Sequence, residues 1–332
     1  MIKNLAIVTG GAGFIGSNLV EEMGRRGQLA VVIDDFAVPD KWNNVRHPNI
    51  HELVNWTEAF DWMDRHSDRV SSIFHLGAVS STTASDLSLL LKKNIHFSNT
   101  MWDWCAAHGK PLVYASSAAT YGDGSLGFSD ATALDALEKL VPLNPYGWSK
   151  HIVDLRILRS VAAGAKQPPA WYGVKFFNVY GPREHHKGDM RSVALKLYEK
   201  VKAGGQIELF RSNRPDFADG MQLRDFIHVG DSIDVMLWLM MNRPPSGIYN
   251  IGTGRAEAFL EIAKAIIAET GSPGEVRFID MPEAIRDRYQ YFTQADMRKL
   301  QSVGYDAPFR TVGEGVADYV RALSAAGHRL SD

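Results

Sequence analysis

The stretch IVTGGAGFIG, residues 7–16, sets closely spaced glycines directly after a short apolar run. The glycines fit two overlapping patterns, Gly10-x-x-Gly13-x-x-Gly16 and Gly11-x-Gly13-x-x-Gly16. Apolar residues then recur at helical spacing, at Ile15, Leu19, Val20 and Met23. Early glycines permit a tight turn and a close backbone approach to a pyrophosphate, and the helix that follows supplies N–H donors at its N-terminus. The stretch therefore predicts a strand, a phosphate-binding turn and a helix, which is the start of a dinucleotide-binding fold.

A second apolar run, residues 30–34, ends in two carboxylates. In dinucleotide-binding folds an acidic residue about 20 residues after the glycines binds the ribose hydroxyls. The combination predicts one bound nicotinamide cofactor per subunit. The choice between NAD and NADP stays open, because Asp34 and Asp35 would repel a 2′-phosphate whereas Lys41 would neutralise it.

Short apolar runs alternate with helical patterns through the first half of the chain. The runs that predict strands are 5–9, 30–34, 72–76, 112–116 and 174–178. The alternation predicts an α/β protein with a Rossmann-type doubly wound parallel sheet. Beyond about Asn178 the alternation fades, and we expect a smaller mixed α/β substrate-binding domain over the carboxyl edge of the sheet. We assign 1–177 plus about 224–252 to the dinucleotide-binding domain, and about 178–223 plus 253–330 to the substrate-binding domain.

Composition limits the class of protein. The 332 residues suffice for one large domain or two that share a cleft, and the formal net charge of −2 gives no basic field. We therefore expect no nucleic-acid partner. The one cysteine, Cys105, excludes an internal disulfide framework and fits a reducing compartment. No apolar run approaches the roughly 20 residues of a membrane span, and the first run is too short for a signal peptide, so we expect a cytoplasmic protein with no membrane partner.

A tyrosine and a lysine stand four residues apart on a helical pattern, at Tyr146 and Lys150. That spacing places the phenol and the ammonium on one helix face. Lowering a tyrosine pKa from about 10 to about 7 takes about 4 kcal/mol, which is about what one unit charge at about 4 Å supplies at an effective dielectric constant near 20. Ser117 follows the strand predicted at 112–116, at the sheet edge where doubly wound folds bind ligands. We predict that Ser117 hydrogen-bonds a reacting alcohol and that Tyr146 removes its proton, activated by Lys150 with the help of the positive charge of an oxidised nicotinamide.

Together these motifs resemble the extended short-chain dehydrogenase/reductase superfamily, that is, the nucleotide-sugar epimerases and dehydratases. Further matching segments are HLGA at 75–78, Asn94, FNVYGPR at 177–183, RDFIHV at 224–229 and YNIGTG at 249–254. The resemblance covers nearly the whole chain. Dehydratases of this superfamily carry an acidic pair just after the active-site hydroxyl, whereas this chain has Ala118 and Ala119, which cannot transfer protons. Sugar dehydration is therefore disfavoured.

A narrower set of segments resembles the ADP-glyceromanno-heptose 6-epimerase family. The segments are SSTT at 80–83, GPREHHKG at 181–188, GTGRAE at 252–257 and RYQYFTQAD at 288–296. The resemblance implies an isomerase that inverts C6 of ADP-D-glycero-D-manno-heptose to give ADP-L-glycero-D-manno-heptose, a precursor of the lipopolysaccharide inner core. Direct deprotonation at C6 is disfavoured because the C–H bond has no adjacent carbonyl. The resemblance implies instead a transient oxidation to a 6-keto sugar and its re-reduction with the bound nicotinamide.

The resemblance also implies a second proton-transfer group, the lysine of the His-Lys-Gly turn, which is Lys187 here. The alternative is that His185, His186 and Lys187 form a solvated basic turn or bind phosphate. A zinc site is disfavoured, because adjacent histidines without nearby acidic or thiol partners lack the usual ligand spacing, and we predict no metal.

The resemblance further implies contacts along the chain. The expected cofactor residues are Gly10, Gly11, Gly13, Phe14, Ile15, Gly16, Asp34, Asp35, Lys41, Leu76, Gly77, Ala78, Ser80, Asn94, Tyr146, Lys150, Val179 and Lys187. The expected substrate residues are Ser81, Ser117, Asn178, Asp189, Lys196, Phe210, Arg211, Ser212, Asn213, Arg224 and Tyr289. Arg224 is expected on the diphosphate, and a structural salt bridge with Asp225 or another carboxylate is the alternative.

A few positions depart from the family pattern. Asp189 stands where the heptose enzymes usually have serine, Lys196 where histidine is usual, and Asp35 where NADP-binding members have asparagine. The segment 211–223 also looks longer than usual. The exact nucleotide sugar stays open, as does the cofactor, since the resemblance favours NADP and the acidic pair favours NAD.

Other functions remain as alternatives. One is an epimerase or reductase of another nucleotide sugar, and the other is a catalytically idle dinucleotide-binding sensor, against which the intact Ser117, Tyr146 and Lys150 argue. We also expect a homo-oligomer, with the helix at 94–108 either forming the subunit interface or packing in the core.

Overall fold

A parallel sheet lies at the centre of the protein. The computed structural model describes residues 4–272, 274–286 and 289–329. In that part of the chain the strands are β1 Leu5–Thr9, β2 Ala30–Asp34, β3 Ile50–Asn55, β4 Val70–His75, β5 Leu112–Ser117, β6 Trp171–Phe176, β7 Asn178–Tyr180, β8 Ile207–Phe210, β9 Leu223–Arg224, β10 Phe226–His228, β11 Gly247–Ile251, β12 Glu257–Ala258 and β13 Val276–Ile279. The α-helices are α1 Phe14–Arg25, α2 Ala59–Arg65, α3 Leu87–Leu90, α4 Phe97–His108, α5 Leu134–Leu137, α6 Pro145–Ala162, α7 Val193–Lys202, α8 Val229–Asn242, α9 Phe259–Thr270, α10 Glu283–Arg286, α11 Arg298–Ser302 and α12 Val312–Arg329. Short 3-10 segments cover Pro39–Val45, Trp56–Glu58, Ala118–Tyr121 and His185–Met190, and a π-helical turn, Leu91–His96, joins α3 to α4.

The sheet is doubly wound. Within the described residues, seven strands pair in parallel in the order β11-β6-β5-β4-β1-β2-β3. Strands β1 and β2 are buried along their whole length, as expected where helices cover both faces of a parallel sheet. From β1 the chain runs outward to β2 and β3, and β4 then returns to the other side of β1. The strand order therefore reverses between β1 and β4, which is where such sheets bind ligands, and the predicted Rossmann-type fold is confirmed.

Local sequence places both predicted motifs at the carboxyl edge of the sheet. Helix α1 begins at Phe14, directly after the glycine turn. Helix α6 begins with Pro145, and the side chain of Asn144 caps it by accepting the N–H of Gly147 at 2.8 Å. Because the cap and the proline fix the start of α6, Tyr146 falls in its first turn. In the described part of the chain, no helix combines the length and the apolar character needed to cross a membrane.

A second, smaller core lies outside the main sheet. It is formed by buried side chains of α7, β8, α9 and α12. We propose, on the basis of the two cores, the predicted division into 1–177 plus about 224–252 and about 178–223 plus 253–330. The segment from Ala295 to Tyr305 departs from that division, because its apolar side chains pack in the main core. Residues 1–3, 273, 287, 288 and 330 of these ranges lie outside the described residues.

The strand predicted at 174–178 belongs to two strands. β6 ends at Phe176, and β7 begins at Asn178 and pairs with β10 in a separate two-stranded ladder. The N–H of Phe177 still donates to the carbonyl of Ile251 on β11, whereas the N–H of Asn178 donates to Asp225. The chain therefore leaves the main sheet at Phe177.

Candidate active site

A cleft of about 1200 Å³ opens at the carboxyl ends of the central strands, where the strand order reverses. The predicted residues that line it are Gly10, Gly13, Phe14, Ile15, Gly16, Asp34, Lys41, Leu76, Gly77, Ala78, Ser80, Ser81, Ser117, Tyr146, Lys150, Asn178, Val179, Lys187, Arg224 and Tyr289. The fold thus brings the glycine turn, the tyrosine–lysine pair and the His-Lys-Gly turn to one cavity, although they are far apart in the sequence.

The glycine turn leaves room for a phosphate group. Gly10 has a φ of +68°, and a Cβ on it would lie 2.7 Å from the Cα of Gly77, so that both conformation and packing require glycine. A Cβ on Gly16 would overlap the carbonyl oxygen of Gly10, so glycine is also what lets α1 approach the turn. Gly13 caps α1 and has no side chain to accept the first-turn N–H groups. Those donors, with the positive end of the helix dipole, fit the pyrophosphate of a nicotinamide dinucleotide.

The acidic pair after β2 is matched by two lysines. Asp34 accepts the backbone N–H of Ala12 at 2.9 Å and the ammonium of Lys41 at 2.7 Å. The carboxylate of Asp35 accepts from Lys93 Nζ at 2.6 Å, and this hydrogen bond lowers the pKa of Asp35. Of the two lysines, only Lys41 was predicted. The pair therefore does not present an unbalanced double negative charge at the adenosine end of the cleft.

Ser117, Tyr146 and Lys150 meet at the end of β5. Ser117 is the last residue of the strand, and its Oγ accepts the N–H of Ala119 at 3.1 Å. The Ser117 hydroxyl lies near the Tyr146 hydroxyl and acts to lower its pKa. Lys150 lies one turn after Tyr146 on α6, and its Nζ donates to the carbonyl of Ala115 at 2.9 Å. The predicted trio is thus assembled at one point, with the lysine fixed by the backbone of β5.

Burial dominates the proton affinities of this trio. It lowers the pKa of Lys150 to about 8, against the opposing effect of the Asp154 carboxylate. Burial also raises the pKa of Tyr146, and the nearby Ser117 side chain only partly opposes that effect. The prediction pairs Lys150 with the positive charge of an oxidised nicotinamide, and in the protein alone the pKa of Tyr146 stays raised. Activation of Tyr146 needs a further positive charge, such as that of an oxidised nicotinamide ring.

Lys187 lines the same cleft from a 3-10 segment. Its Nζ lies 4.9 Å from the ring centroid of Phe14 and 3.9 Å from a carboxylate oxygen of Glu184. Burial lowers the pKa of Lys187, and Glu184 opposes that effect. Glu184 is fully buried and accepts the N–H of Ser192 at 2.6 Å and the hydroxyl of Tyr319 at 3.2 Å. Lys187 is thus set among buried groups, unlike a lysine of a solvated turn.

Arg224 supplies a cation to the lining of the cleft. Its guanidinium lies 5.3 Å from the ring centroid of Tyr289 and 5.8 Å from that of Phe259. The alternative salt bridge with Asp225 does not form. Asp225 instead accepts the backbone N–H and the hydroxyl of Thr253, together with two other backbone N–H groups. Burial lowers the pKa of the Arg224 guanidinium, as expected for a desolvated cation.

Some predicted residues lie outside the cleft lining. They are Gly11, Asp35, Asn94, Asp189, Lys196, Phe210, Arg211, Ser212 and Asn213. Asn94 supports the cleft from behind, since it accepts the N–H of Val79 at 2.8 Å and donates to Ser149 at 2.9 Å. Lys196 is exposed and donates to the carbonyl of Asp189 at 2.6 Å. All three single-residue departures from the family pattern, Asp35, Asp189 and Lys196, therefore lie outside the cavity lining.

The segment 210–213 lies beside the cleft. The rings of Phe210 and Tyr289 are 6.3 Å apart, and the N–H of Asn213 donates to the hydroxyl of Tyr291 at 3.0 Å. Arg211 pairs with a carboxylate of Asp280 at 3.2 Å. The structure thus places this segment against Tyr289. Arg288, the first residue of the matched RYQYFTQAD segment, lies outside the described residues.

Several residues of the cleft were not predicted. They are Ser116, Asn144, His186, Met190, Ser192, Gln290 and Thr293, among others. Gln290 and Thr293 belong to the matched segment at 288–296, so the sequence carried a signal for their position without assigning a role. His186 neighbours Lys187, and burial lowers its pKa to about 4, which keeps it neutral.

A doubly wound sheet with a glycine turn at its reversal point, and a serine, tyrosine and lysine beside it, defines a class of α/β enzymes that bind a nicotinamide dinucleotide. The chain belongs to the NAD dependent epimerase/dehydratase family, whose model matches residues 6–252.

Individual relatives match nearly the whole chain. A Fusobacterium nucleatum protein named ADP-L-glycero-D-manno-heptose-6-epimerase is 39% identical over 326 residues, covering 96% of this chain and 97% of the relative. A Nitratidesulfovibrio vulgaris protein of the same name is 43% identical over 324 residues, covering 96% and 98%. The crystal structure of the Helicobacter pylori ADP-L-glycero-D-manno-heptose-6-epimerase has a TM-score of 0.77 at 26% identity and covers 97% of both chains. The Thermus thermophilus UDP-glucose 4-epimerase complex with NAD has a TM-score of 0.76 at 25% identity, covering 97% and 99%.

Proposed function

We propose that the chain is an isomerase that inverts C6 of ADP-D-glycero-D-manno-heptose to give ADP-L-glycero-D-manno-heptose. The observation that carries the proposal is the identity of 39% and 43%, over nearly the full length, to two proteins named as epimerases of this nucleotide sugar. The cleft supports it, because Tyr146, Lys150 and Lys187 all line it. The product is a heptose donor for the inner core of lipopolysaccharide.

The trio at the end of β5 acts on the hydroxyl of C6. Ser117 hydrogen-bonds that hydroxyl, and Tyr146 removes its proton. Lys150 holds an ammonium one helical turn from Tyr146 and favours the phenolate form. A nicotinamide dinucleotide held by the glycine turn, Asp34 and Lys41 would supply the chemistry of hydride removal from C6 and hydride return to the opposite face.

A second proton-transfer group serves the other orientation of the sugar. The 6-keto sugar turns over between the two hydride transfers, so its oxygen meets a different wall of the cleft. Lys187 lines the cleft from a segment that is separate from Tyr146. Its lowered pKa brings the ammonium closer to the range in which a group gives and accepts protons near neutral pH.

Arg224 binds the diphosphate of the nucleotide. A buried guanidinium without a carboxylate partner costs free energy until an anion reaches it, and two phosphates suit its planar donors. Among the described residues Arg224 donates to a backbone carbonyl and makes no salt bridge. Asn178 and Tyr289 then bind the sugar, and the neighbouring segment 210–213 binds the nucleotide end of the substrate.

We propose NADP as the cofactor. The case for NAD was the repulsion of a 2′-phosphate by Asp34 and Asp35, and each of these carboxylates is paired with a lysine. Lys41 lines the cleft, and Lys93 reaches Asp35 from the π-helical turn. The two carboxylates are therefore neutralised by the two lysines. The ammonium groups of Lys41 and Lys93 can turn toward a bound 2′-phosphate.

The cofactor proposal is tested on the purified protein. Denaturing extraction and chromatography identify the dinucleotide that it holds. Isothermal titration calorimetry then compares NADP with NAD binding to the wild type, Lys41→Ala, Lys93→Ala and the exposed control Lys139→Ala. We expect each of the first two substitutions to weaken NADP binding about tenfold, the equivalent of one charge-assisted hydrogen bond, and to leave NAD binding unchanged. Tighter binding of NAD by the wild type contradicts the proposal.

We also propose a homo-oligomer. The helix expected at 94–108 packs mainly in the core, since Met101, Trp102 and Trp104 are buried. The support comes instead from exposed apolar side chains nearby, including Leu87 of α3 and Ile152 of α6. Light scattering of the wild type and of Ile152→Glu tests it, and a monomeric wild type contradicts it.

The function is tested by proton NMR of ADP-D-glycero-D-manno-heptose incubated with the pure protein and no added cofactor. Appearance of the L-glycero epimer is the expected result, because the nicotinamide is regenerated in every turnover. An unchanged spectrum, even after NAD or NADP is supplied, overturns the proposed substrate and directs the search to other nucleotide sugars.

A further inference from the structure

Behind the cleft, helix α6 and strand β6 share a buried ion pair. The side chains of Asp154 and Lys175 are 0% and 1% exposed, and Lys175 Nζ lies 3.2 Å from Asp154 Oδ2. Neither residue belongs to the described lining of the cleft. Taking two charges out of water is unfavourable, and their mutual attraction often fails to compensate for it. The presence of this buried ion pair is therefore better explained by a role other than stabilisation of the fold.

Asp154 ties the catalytic helix to the strand that carries Ser117. It accepts a hydrogen bond from the Oγ of Ser116 at 2.7 Å, and Ser116 directly precedes Ser117 on β5. On α6, Asp154 lies one turn after Lys150, which itself lies one turn after Tyr146. Side chains four residues apart share a helix face, so one face of α6 carries the base, the ammonium and this anchor.

Lys175 ties down the turn that follows Ser117. Its ammonium donates to Thr120 Oγ1, and it lies 4.6 Å from the ring centroid of Tyr121. The Thr120 hydroxyl in turn donates to the backbone carbonyl of Ser117 at 2.8 Å. Because the hydroxyl proton is committed to Ser117, the lone pair of the same oxygen faces Lys175. Ser117 is thus held from both sides, through Ser116 and through Thr120.

We propose that Asp154 and Lys175 are positioning residues that hold Ser117, Tyr146 and Lys150 in their reactive arrangement. Through one ion pair, they connect α6, β5, β6 and the 3-10 segment Ala118–Tyr121. This role rests on the proposed epimerisation, since it concerns the residues to which that reaction is assigned.

The pair also sets the charge around Lys150. Asp154 and Tyr146 each lie one helical turn from Lys150 on α6, and His75 on β4 is close enough for Lys150 to lower its pKa. Burial lowers the pKa of His75 to about 3 and raises that of Tyr146, so both are neutral near pH 7. Asp154 raises the pKa of Lys150 against the effect of burial. Removal of its charge therefore moves the titration of Lys150 to lower pH.

The test compares variants in the NMR assay of ADP-heptose epimerisation. The main variant, Asp154→Asn with Lys175→Met, removes both charges together, so that no unpaired buried charge remains. We expect it to fold, to lose about 10²-fold in kcat with a much smaller change in KM, and to shift the pH profile of kcat. Lys175→Arg keeps the charge and is expected to retain most of the rate. Arg156→Met, which breaks an exposed ion pair of the same helix with Asp103, is the matched control.

A second variant tests the proposal if the double variant does not fold. Thr120→Val keeps the volume and the ion pair and removes the hydroxyl that joins Lys175 to Ser117. We expect about a tenfold loss in kcat, consistent with a displacement of Ser117. Folded variants with wild-type kcat and an unshifted pH profile overturn the proposal. A wild type that does not act on ADP-heptose counts instead against the proposed function, and the variants are then compared on the nucleotide sugar that it accepts.

Discussion

Two of the lysines that line the cleft, Lys150 and Lys187, have similar electrostatic surroundings but differ in how the structure holds them. Burial lowers the pKa of both Lys150 and Lys187, and one carboxylate opposes it in each case, Asp154 for the first and Glu184 for the second. Lys150 is held by the carbonyl of Ala115 on the central sheet. Lys187 belongs to a short 3-10 segment and, within the described residues, its Nζ makes no hydrogen bond.

This difference suits Lys150 to the role of a fixed charge and Lys187 to the role of a proton carrier. We call Ser117, Tyr146 and Lys150 the sheet-side group, and Lys187 with Glu184 the turn-side group. An ammonium that is locked to a backbone carbonyl stabilises a neighbouring anion without giving up its own proton. An ammonium near an aromatic ring and a carboxylate at 3.9 Å is free to turn toward a substrate oxygen. This difference supports the proposed roles, in which the proton moves through Tyr146 in the sheet-side group and through Lys187 itself in the turn-side group.

The largest effect is expected from Tyr146→Phe, which removes the proton acceptor of the sheet-side group. We predict a loss in kcat of about 10³-fold or more, within the range of a lost general base, with cofactor affinity nearly unchanged. NMR turnover and calorimetric binding of the dinucleotide measure the two quantities. Tyr198→Phe, in the second core, is the control. Unchanged turnover would remove Tyr146 as the base.

The next effect is expected from Lys187→Met, which removes the proton carrier of the turn-side group. We predict a loss in the epimerisation rate of about 10²-fold, because only one orientation of the sugar keeps its proton-transfer group. Lys202, an exposed lysine at the end of α7, is changed as Lys202→Met for the control. Epimerisation at nearly the wild-type rate, with Tyr146 intact, would show that one base serves both faces.

The sequence predicted the sheet-side group because each of its parts lies in a local pattern. The glycine spacing, a strand that ends in hydroxyls and a tyrosine four residues before a lysine are visible within short windows. The same holds for β1 and β2, whose bounds were predicted correctly because they are continuous apolar runs. β3 was missed because it lies at the edge of the sheet and exposes much of its surface.

Contacts between distant segments could not be predicted in this way. Glu184 accepts hydrogen bonds from Ser192 and from Tyr319 of the last helix, and no spacing in the sequence predicts these contacts. Lys93 reaches Asp35 from a π-helical turn, whose irregular winding no periodic pattern indicates. The surroundings of Lys187 and Glu184, and the pairing of Asp35 with Lys93, are therefore seen only in the three-dimensional structure.

A smaller effect is expected from Glu184→Gln, which removes the carboxylate of the turn-side group and keeps its shape. Glu184 raises the pKa of Lys187 against burial, so its removal lowers that pKa further. We predict that the limb of the pH–rate profile that belongs to Lys187 moves to lower pH by about one unit, the effect of about 1.4 kcal/mol between two protonation states. The limb should be absent in Lys187→Met. A shift in both variants would assign the limb to another group.

The smallest effect is expected from Phe14→Leu, which replaces the ring near Lys187 Nζ with an aliphatic side chain. A partly exposed cation–π contact contributes about 0.5–1 kcal/mol, so we predict a two- to fivefold change in kcat and a shift of the same limb smaller than that of Glu184→Gln. Phe14 also lines the cofactor end of the cleft, and calorimetry of dinucleotide binding separates that contribution. A larger shift for Phe14→Leu than for Glu184→Gln would mean that the ring, and not the carboxylate, sets the charge of Lys187. The two lysines would then differ in their electrostatics as well as in their support, since no aromatic ring is recorded at cation–π distance from Lys150 in the described part of the chain.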